Sequence, residues 1–195
     1  MKSDIILAGV GGQGILTIAT ILGAAALADN LYLKQAEVHG MSQRGGDVQS
    51  NLRISSSPVH SDLIPLGGAD MIVSLEPMEA LRYLPYLSKE GWIITNATPF
   101  VNIDNYPEME TVEKELRSHP NVVMFDMDKV AKEVATSRSS NLVLLGAASP
   151  LIDMPAEKIE EAINNLFIRK GQKIVDSNIA AFREGRKISS EIINL

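Results

Sequence analysis

Two short stretches hold most of the residues able to do chemistry. The first is "GVGGQG", in which Gly9, Gly11, Gly12, Gln13 and Gly14 satisfy the pattern G-x-G-x-x-G. Glycines let a backbone come close to a phosphate, and a helix that starts there offers free N–H donors and the positive end of its dipole. Dinucleotide sites add an acid about 20 residues further on, which takes the ribose hydroxyls. Glu37 stands 23 positions beyond Gly14. Two readings stay open: a candidate phosphate loop, or glycines that serve only a tight strand-to-helix turn.

The second stretch is "EVHGMSQRGG", Glu37 to Gly46. Glu37 and His39 form a candidate acid/base pair, Ser42 a candidate nucleophile, and Arg44 a fork suited to a carboxylate or phosphate. A serine hydrolase places its nucleophile in G-x-S-x-G, which "GMSQRGG" does not match. The glycines, Gly45 and Gly46 among them, stand beside Gln43, Arg44 and a methionine. That mixture points to close backbone contact with a partner or ligand rather than to idle solvation. His39, His60 and His119 lie far apart and show no metal-ligand spacing.

Composition narrows the classes. The 195 residues include no cysteine, so disulfides, thiolate zinc sites and cysteine-ligated clusters are excluded within this chain. The net charge of -6 argues against nucleic acid, whose phosphates call for basic patches. "MKSDIILAGV" leads straight into a strand pattern without a signal-peptide cleavage site, and the apolar runs are too short to span a bilayer. A cytoplasmic location with no membrane contact is the expectation.

The elements that must position these stretches are readable in outline. "DIILAG" reads as a buried strand, and "GILTIATILGAAALAD", apolar nearly all round, as a helix covered on more than one side. "LYLKQ" reads as a strand, and "DVQSNLRIS" as one with a wetter face, which leaves room for antiparallel pairing. "PVHSDLIP" is a short return strand or a loop. "ADMIVSL", "GWIITNA" and "NVVMFD" are further strands. Helices are expected over "EPMEALRYLPYLS", with Tyr83, Leu84 and Tyr86 on its packing face, over "DKVAKEVA" and over most of "SNLVLLGAAS". Asp126 and Asp128 are expected to cap the helix they precede. Two amphipathic helices close the chain, striped by Ile159, Ile163 and Leu166 and by Val175, Ile179 and Phe182. The expected fold is a three-layer, Rossmann-like α/β sheet, mostly parallel, with helices on both faces. One domain spans 1–195, its C-terminal helices, about 154–190, forming a tail packed on the α/β body.

Three segments carry a resemblance: "GVGGQGI", "AEVHGMSQRGGDVQSNLRI" and "GGADMIVSLEPMEALRYLPYL". Together they resemble the gamma-type subunit of the 2-oxoacid:ferredoxin oxidoreductases over nearly the whole chain. The wording "EVHGMSQRGG" favours the branch formed by the beta subunits of indolepyruvate:ferredoxin oxidoreductases. The resemblance implies oxidative decarboxylation of an aryl-2-oxoacid, with coenzyme A taking the acyl group and ferredoxin the electrons. It also implies thiamine diphosphate, Mg²⁺ and 4Fe-4S clusters. This chain has neither thiolates nor the G-D-G…N-N pattern of thiamine sites, so those three cofactors are expected on a larger partner subunit of a hetero-oligomer. The resemblance leaves open whether coenzyme A touches this chain. The loop from Glu37 to Gly46 is then expected to face that partner, with Arg44 on an anion. Two other readings remain. One is a stand-alone NAD(P)- or FAD-dependent oxidoreductase, and the other is a purely structural docking subunit.

Overall fold

A computed structural model describes residues 1–39, 45–101 and 103–194, with His39 described by its backbone alone. Six strands form one sheet in the order β2-β3-β1-β4-β5-β6. In chain order, β1 (Lys2–Val10) leads into α1 (Ile15–Ala28), then β2 (Tyr32–His39) and β3 (Asp47–Ser55). Next come β4 (Ala69–Ser74), α2 (Pro77–Arg82), β5 (Leu87–Asn96) and α3 (Met109–Arg117). The chain continues through β6 (Val122–Phe125), α4 (Met127–Val134), α5 (Ser140–Ala148), α6 (Ala156–Phe167) and α7 (Gln172–Ile193).

β1, β4, β5 and β6 run parallel, whereas β3 is antiparallel to β1 and to β2. The wetter strand is thus the antiparallel one, as its alternation suggests. Val48, Ser50, Leu52 and Ile54 are buried, while Asp47 is exposed and Gln49 and Arg53 are half-buried.

Strand alternation sends β1 side chains to two cores. Ile5 and Leu7 join α1, α5, α6 and α7 on one face, and Ile6 and Ala8 join α2 and α3 on the other. Burial on both faces explains why β1 reads as a continuous apolar run. α1 packs between the sheet and α6, with Ile15, Ile18, Ile21 and Leu22 all nearly inaccessible. Every residue of α5 is buried, and α7 lies across it. The crossing is close because Gly146 and Gly185 stand at it. A Cβ on Gly146 would fall 1.9 Å from the Phe182 carbonyl oxygen, and one on Gly185 would fall 2.0 Å from that of Val143.

Several expectations need correction. The helix over residues 76–88 stops at Arg82, because Pro85 cannot continue it. Leu84–Tyr86 form a single three-ten turn, and β5 starts at Leu87, before the expected "GWIITNA". Tyr83, Leu84 and Tyr86 still pack on the α2/α3 core. "PVHSDLIP", for which a short return strand or a loop was expected, is the loop, held where the Arg53 guanidinium donates to the Ser61 and Leu63 carbonyls at 3.2 and 3.1 Å. Leu166 is 38% exposed and leaves the stripe of Ile159 and Ile163; Phe167 packs in its place. Among the described residues no helix is long and apolar enough to cross a membrane.

Candidate functional site

β1 delivers its chain to α1 on one face, and β4 delivers its chain to α2 on the other. The two strands are neighbours, so the chain parts above their carboxyl ends and leaves a crevice. Open α/β sheets bind ligands in such places. The glycine loop lies at this switch point.

Its geometry explains its composition. Gly12 and Gly14 have φ of +103° and +87°, where a side chain is strained. Gly14 is the N-cap of α1, and no side chain caps it. A Cβ on Gly9 would crowd Ile15 at 2.8 Å. Gln13 matters more than its sequence context suggests. Its Oε1 accepts from the Val10 N–H at 2.7 Å, and its Nε2 donates to the Leu75 carbonyl at 3.4 Å. This side chain therefore staples the loop between β1 and the end of β4. From the other side, the Asn141 Nδ2 donates to the Gly14 carbonyl at 3.3 Å.

The two stretches singled out in the sequence meet here. The Gly11 N–H donates to the Gly46 carbonyl at 2.8 Å, and the Gly45 N–H donates to the Gly11 carbonyl at 3.3 Å. Glu37 joins Gly11, Gly12, Gly14 and Leu16 around a cleft of about 380 Å³. The side chain of His39, and Ser42, Gln43 and Arg44, lie outside the described residues.

Glu37 is not placed as a dinucleotide site requires. β3 stands between β1 and β2, so the end of β2 is two strand spacings, about 10 Å, from β1. The ribose-binding acid of that fingerprint belongs to a βαβ unit of parallel strands, and here an antiparallel strand intervenes.

On its other side the glycine loop borders a polar cleft of about 460 Å³, where Gly12, Gln13, Asn96, Phe100, Arg138 and Asn141 meet. Asn96 and Asp128 organise its floor. The Asn96 Oδ1 accepts from the Met127 N–H at 2.9 Å, and its Nδ2 donates to Asp128 Oδ2 at 3.0 Å. The Ser140 hydroxyl donates to Asp128 Oδ1. Asp126 caps α4 by accepting from the Lys129 N–H at 2.8 Å. Asp128 does not cap; it joins β5 to α5 instead.

The wall carrying Phe100 is tied to Glu76, which is 1% exposed. Glu76 accepts from the Phe100 N–H, the Glu79 N–H and the Tyr106 hydroxyl. Burial first, then the hydrogen bond to Glu76, push the Tyr106 phenol well above its ordinary range. Burial raises the Glu79 carboxyl against the opposing pull of Arg82, whose Nε donates to it at 2.7 Å.

Sequence reasoning missed Asn96, Arg138 and Asn141. Asn141 had a signal: it is an amide at the head of the apolar run "LVLLGAA". His60 and His119 are in loops, and among the described residues no group of three His, Cys, Asp or Glu could hold a metal. With no cysteine in the chain, these residues do not fit an iron–sulfur cluster.

The comparisons agree with this architecture. Residues 4–188 match the sequence profile of the family described as pyruvate ferredoxin/flavodoxin oxidoreductase. The chain is 39% identical to the indolepyruvate oxidoreductase subunit IorB of Pyrococcus horikoshii, across 98% of each chain. It is 30% identical to the 2-oxoglutarate synthase subunit KorC of Methanocaldococcus jannaschii, across 98% of this chain and 96% of that one. The fold is similar to that of the pyruvate oxidoreductase subunit PORC from Thermotoga maritima, with a TM-score of 0.74 at 21% identity, covering 95% and 96% of the two chains. It is also similar to part of a 2-oxoglutarate:ferredoxin oxidoreductase from Magnetococcus marinus, with a TM-score of 0.77 at 21% identity. There the match covers 97% of this chain and 31% of the other. With that match over residues 4–188 and that identity to a relative along nearly its whole length, this chain belongs to the pyruvate ferredoxin/flavodoxin oxidoreductase family.

Proposed function

We propose that this chain is the subunit without cluster and without thiamine in a cytoplasmic 2-oxoacid:ferredoxin oxidoreductase, acting on an arylpyruvate such as indolepyruvate. The single observation that carries the reading is the 39% identity to an indolepyruvate oxidoreductase subunit across 98% of both chains. In the complex, the oxoacid loses CO₂, coenzyme A receives the acyl group, and two electrons pass to ferredoxin. Thiamine diphosphate, Mg²⁺ and the 4Fe-4S clusters belong to a larger partner, since this chain has no cysteine to ligate a cluster.

All 195 residues act as one unit. In the segment Gly9 to Gly14, Val10 to Gly14 line the crevice that would receive a phosphate, with glycines at 9, 12 and 14 where a Cβ would collide or strain the backbone. The segment from Glu37 to Gly46 faces the partner, and its far end is bonded to the glycine loop through Gly45 and Gly46. Partner docking and ligand seating are therefore mechanically joined. The offset of Glu37 by one strand weighs against a stand-alone NAD(P) or FAD enzyme.

The test is co-expression with the larger subunit, followed by viologen reduction with a panel of 2-oxoacids. Activity that needs both chains, thiamine diphosphate and coenzyme A, with aryl substrates preferred, is the expected result. Turnover by the isolated chain, or tight NAD(P) or FAD binding to it, would overturn the reading.

A further inference from the structure

Both walls of the polar cleft of about 460 Å³ are fastened to one junction, where β4 turns into α2. The glycine loop hangs from Leu75, whose carbonyl accepts from Gln13 Nε2 at 3.4 Å. The opposite wall, Thr98 to Phe100, is fastened to the next residue, Glu76, whose Oε1 accepts from the Phe100 N–H at 3.4 Å. The junction itself is braced. The buried Ser74 hydroxyl donates to the Glu76 carbonyl at 2.6 Å and accepts from the Glu76 N–H at 3.2 Å. Leu75 and Glu76 together therefore set how far apart the walls stand.

Glutamate is an expensive choice at this position. It is buried, and among the described residues no cation pairs with it. Desolvating a carboxylate is costly unless donors surround it. Here the donors fall into two groups. Oε2 takes the Glu79 N–H at 2.8 Å and so caps α2. Oε1 takes the Phe100 N–H and the Tyr106 hydroxyl. A cap needs only one accepting oxygen, and the shorter Ser, Thr, Asp or Asn supplies it better. The longer arm and its second oxygen serve the wall instead. Phe100 itself is 45% exposed, so its backbone bond rather than apolar packing holds it at the mouth of the cleft. Tyr106 pins the same connection six residues further on.

We infer that Glu76 and Tyr106 are positioning residues, a latch that holds the Phe100 wall at the separation from the glycine loop that a bound substrate requires. The inference rests on the functional reading above, in which a phosphate-bearing substrate of the complex meets that loop. Neither residue touches the reacting atoms. With the latch closed, the wall is ordered before the substrate arrives. With it open, binding must order the wall, and that cost falls on affinity. The chemistry on the partner subunit is untouched, so KM should move and kcat should not.

Tyr106→Phe tests this by removing the hydroxyl and keeping the ring. Hydrogen exchange of the full chain, read on the segment 99–106, should quicken by about fivefold or more. In the co-expressed complex, viologen reduction with coenzyme A and the oxoacid varied in turn gives the second readout. KM for coenzyme A should rise about threefold or more, with kcat and the KM for the oxoacid unchanged. Ile163→Val loosens the core on the opposite face of the sheet and should alter neither readout. Exchange of segment 99–106 as slow in Tyr106→Phe as in the wild type would overturn the latch, whatever the complex does. Faster exchange with an unchanged KM, or a fall in kcat equal to the fall in kcat/KM, would overturn the positioning role. A wild-type complex that turns over without coenzyme A would overturn the functional reading and this role with it, while the exchange result would still decide whether the latch exists.

Discussion

Asn141 holds the N-cap of α1 from outside: its Nδ2 donates to the Gly14 carbonyl at 3.3 Å, across 127 residues of chain. A Cβ on Gly14 would lie 2.8 Å from that same nitrogen. The glycine and the asparagine are thus shaped to each other. Asn141→Asp keeps the size, removes the donor and sets a carboxylate against a carbonyl. It should cost about 1–3 kcal/mol, read as a lower urea midpoint with unchanged slope. An unaltered midpoint would remove the bond from the account of the loop.

Gly12→Ala and Gly14→Ala separate strain from collision. Gly12 at φ +103° has nothing within 4 Å of a built Cβ, so alanine there meets strain alone, about 1–3 kcal/mol. Gly14→Ala adds the clash with Asn141. Thermal melts should rank Gly14→Ala as the less stable protein, and both variants should lose coenzyme A-dependent activity in the complex.

The α5/α7 crossing should tolerate no side chain at all. Gly146→Ala or Gly185→Ala must push two helix backbones apart, at about 3 kcal/mol or more. Gly23→Ala is the contrast: its Cβ would meet only the Leu33 Cδ2, at 3.1 Å, and alanine favours helix. Its stability should stay within about 1 kcal/mol of wild type, and chemical denaturation of the three proteins side by side checks the ranking.

Acid should weaken the protein partly through Asp4. This carboxylate is 3% exposed and takes two bonds from Arg53, Nε at 2.7 Å and a terminal nitrogen at 3.0 Å. Burial alone would raise it, but hydrogen bonds from Arg53 and Lys2 prevail and hold it below the usual carboxylate range. Its contribution to stability is therefore complete above the ordinary aspartate value and is lost as pH falls through the lowered one. Glu79, raised by burial, acts with the opposite sign and favours the fold more as pH falls. Asp4→Asn should lower stability at neutral pH by about 3 kcal/mol and flatten the acid limb of the stability curve. An acid limb as steep as in the wild type would show that Asp4 does not contribute to it.

Arg44→Ala should leave this subunit folded and reduce turnover or recovery of the complex. Pull-down yield and steady-state kinetics of the same preparation distinguish the two losses. Normal values for both would remove Arg44 from the proposed contact.

Legibility in the sequence followed the range of the interactions. "DIILAG" and "GVGGQG" announce β1, its turn and α1 because each rests on neighbours in the chain. The order β2-β3-β1 was not legible, because strand pairing is a choice among distant segments; only the wetter face of β3 hinted at it. Leu166 and Phe167 show the limit of periodicity, since a stripe at i, i+4, i+7 cannot say which of two adjacent apolar residues turns inward.

The complete burial of α5 beneath α7 has a consequence for biosynthesis. α5 ends at Ala148, and the helix that covers it spans Gln172–Ile193, at the far end of the chain. A ribosome adds residues at about 5–20 per second, so for a second or more the nascent polypeptide displays the outer face of α5 without the helix that covers it. Premature termination anywhere before α7 would leave that surface permanently open, a form suited to chaperone capture or degradation rather than to assembly.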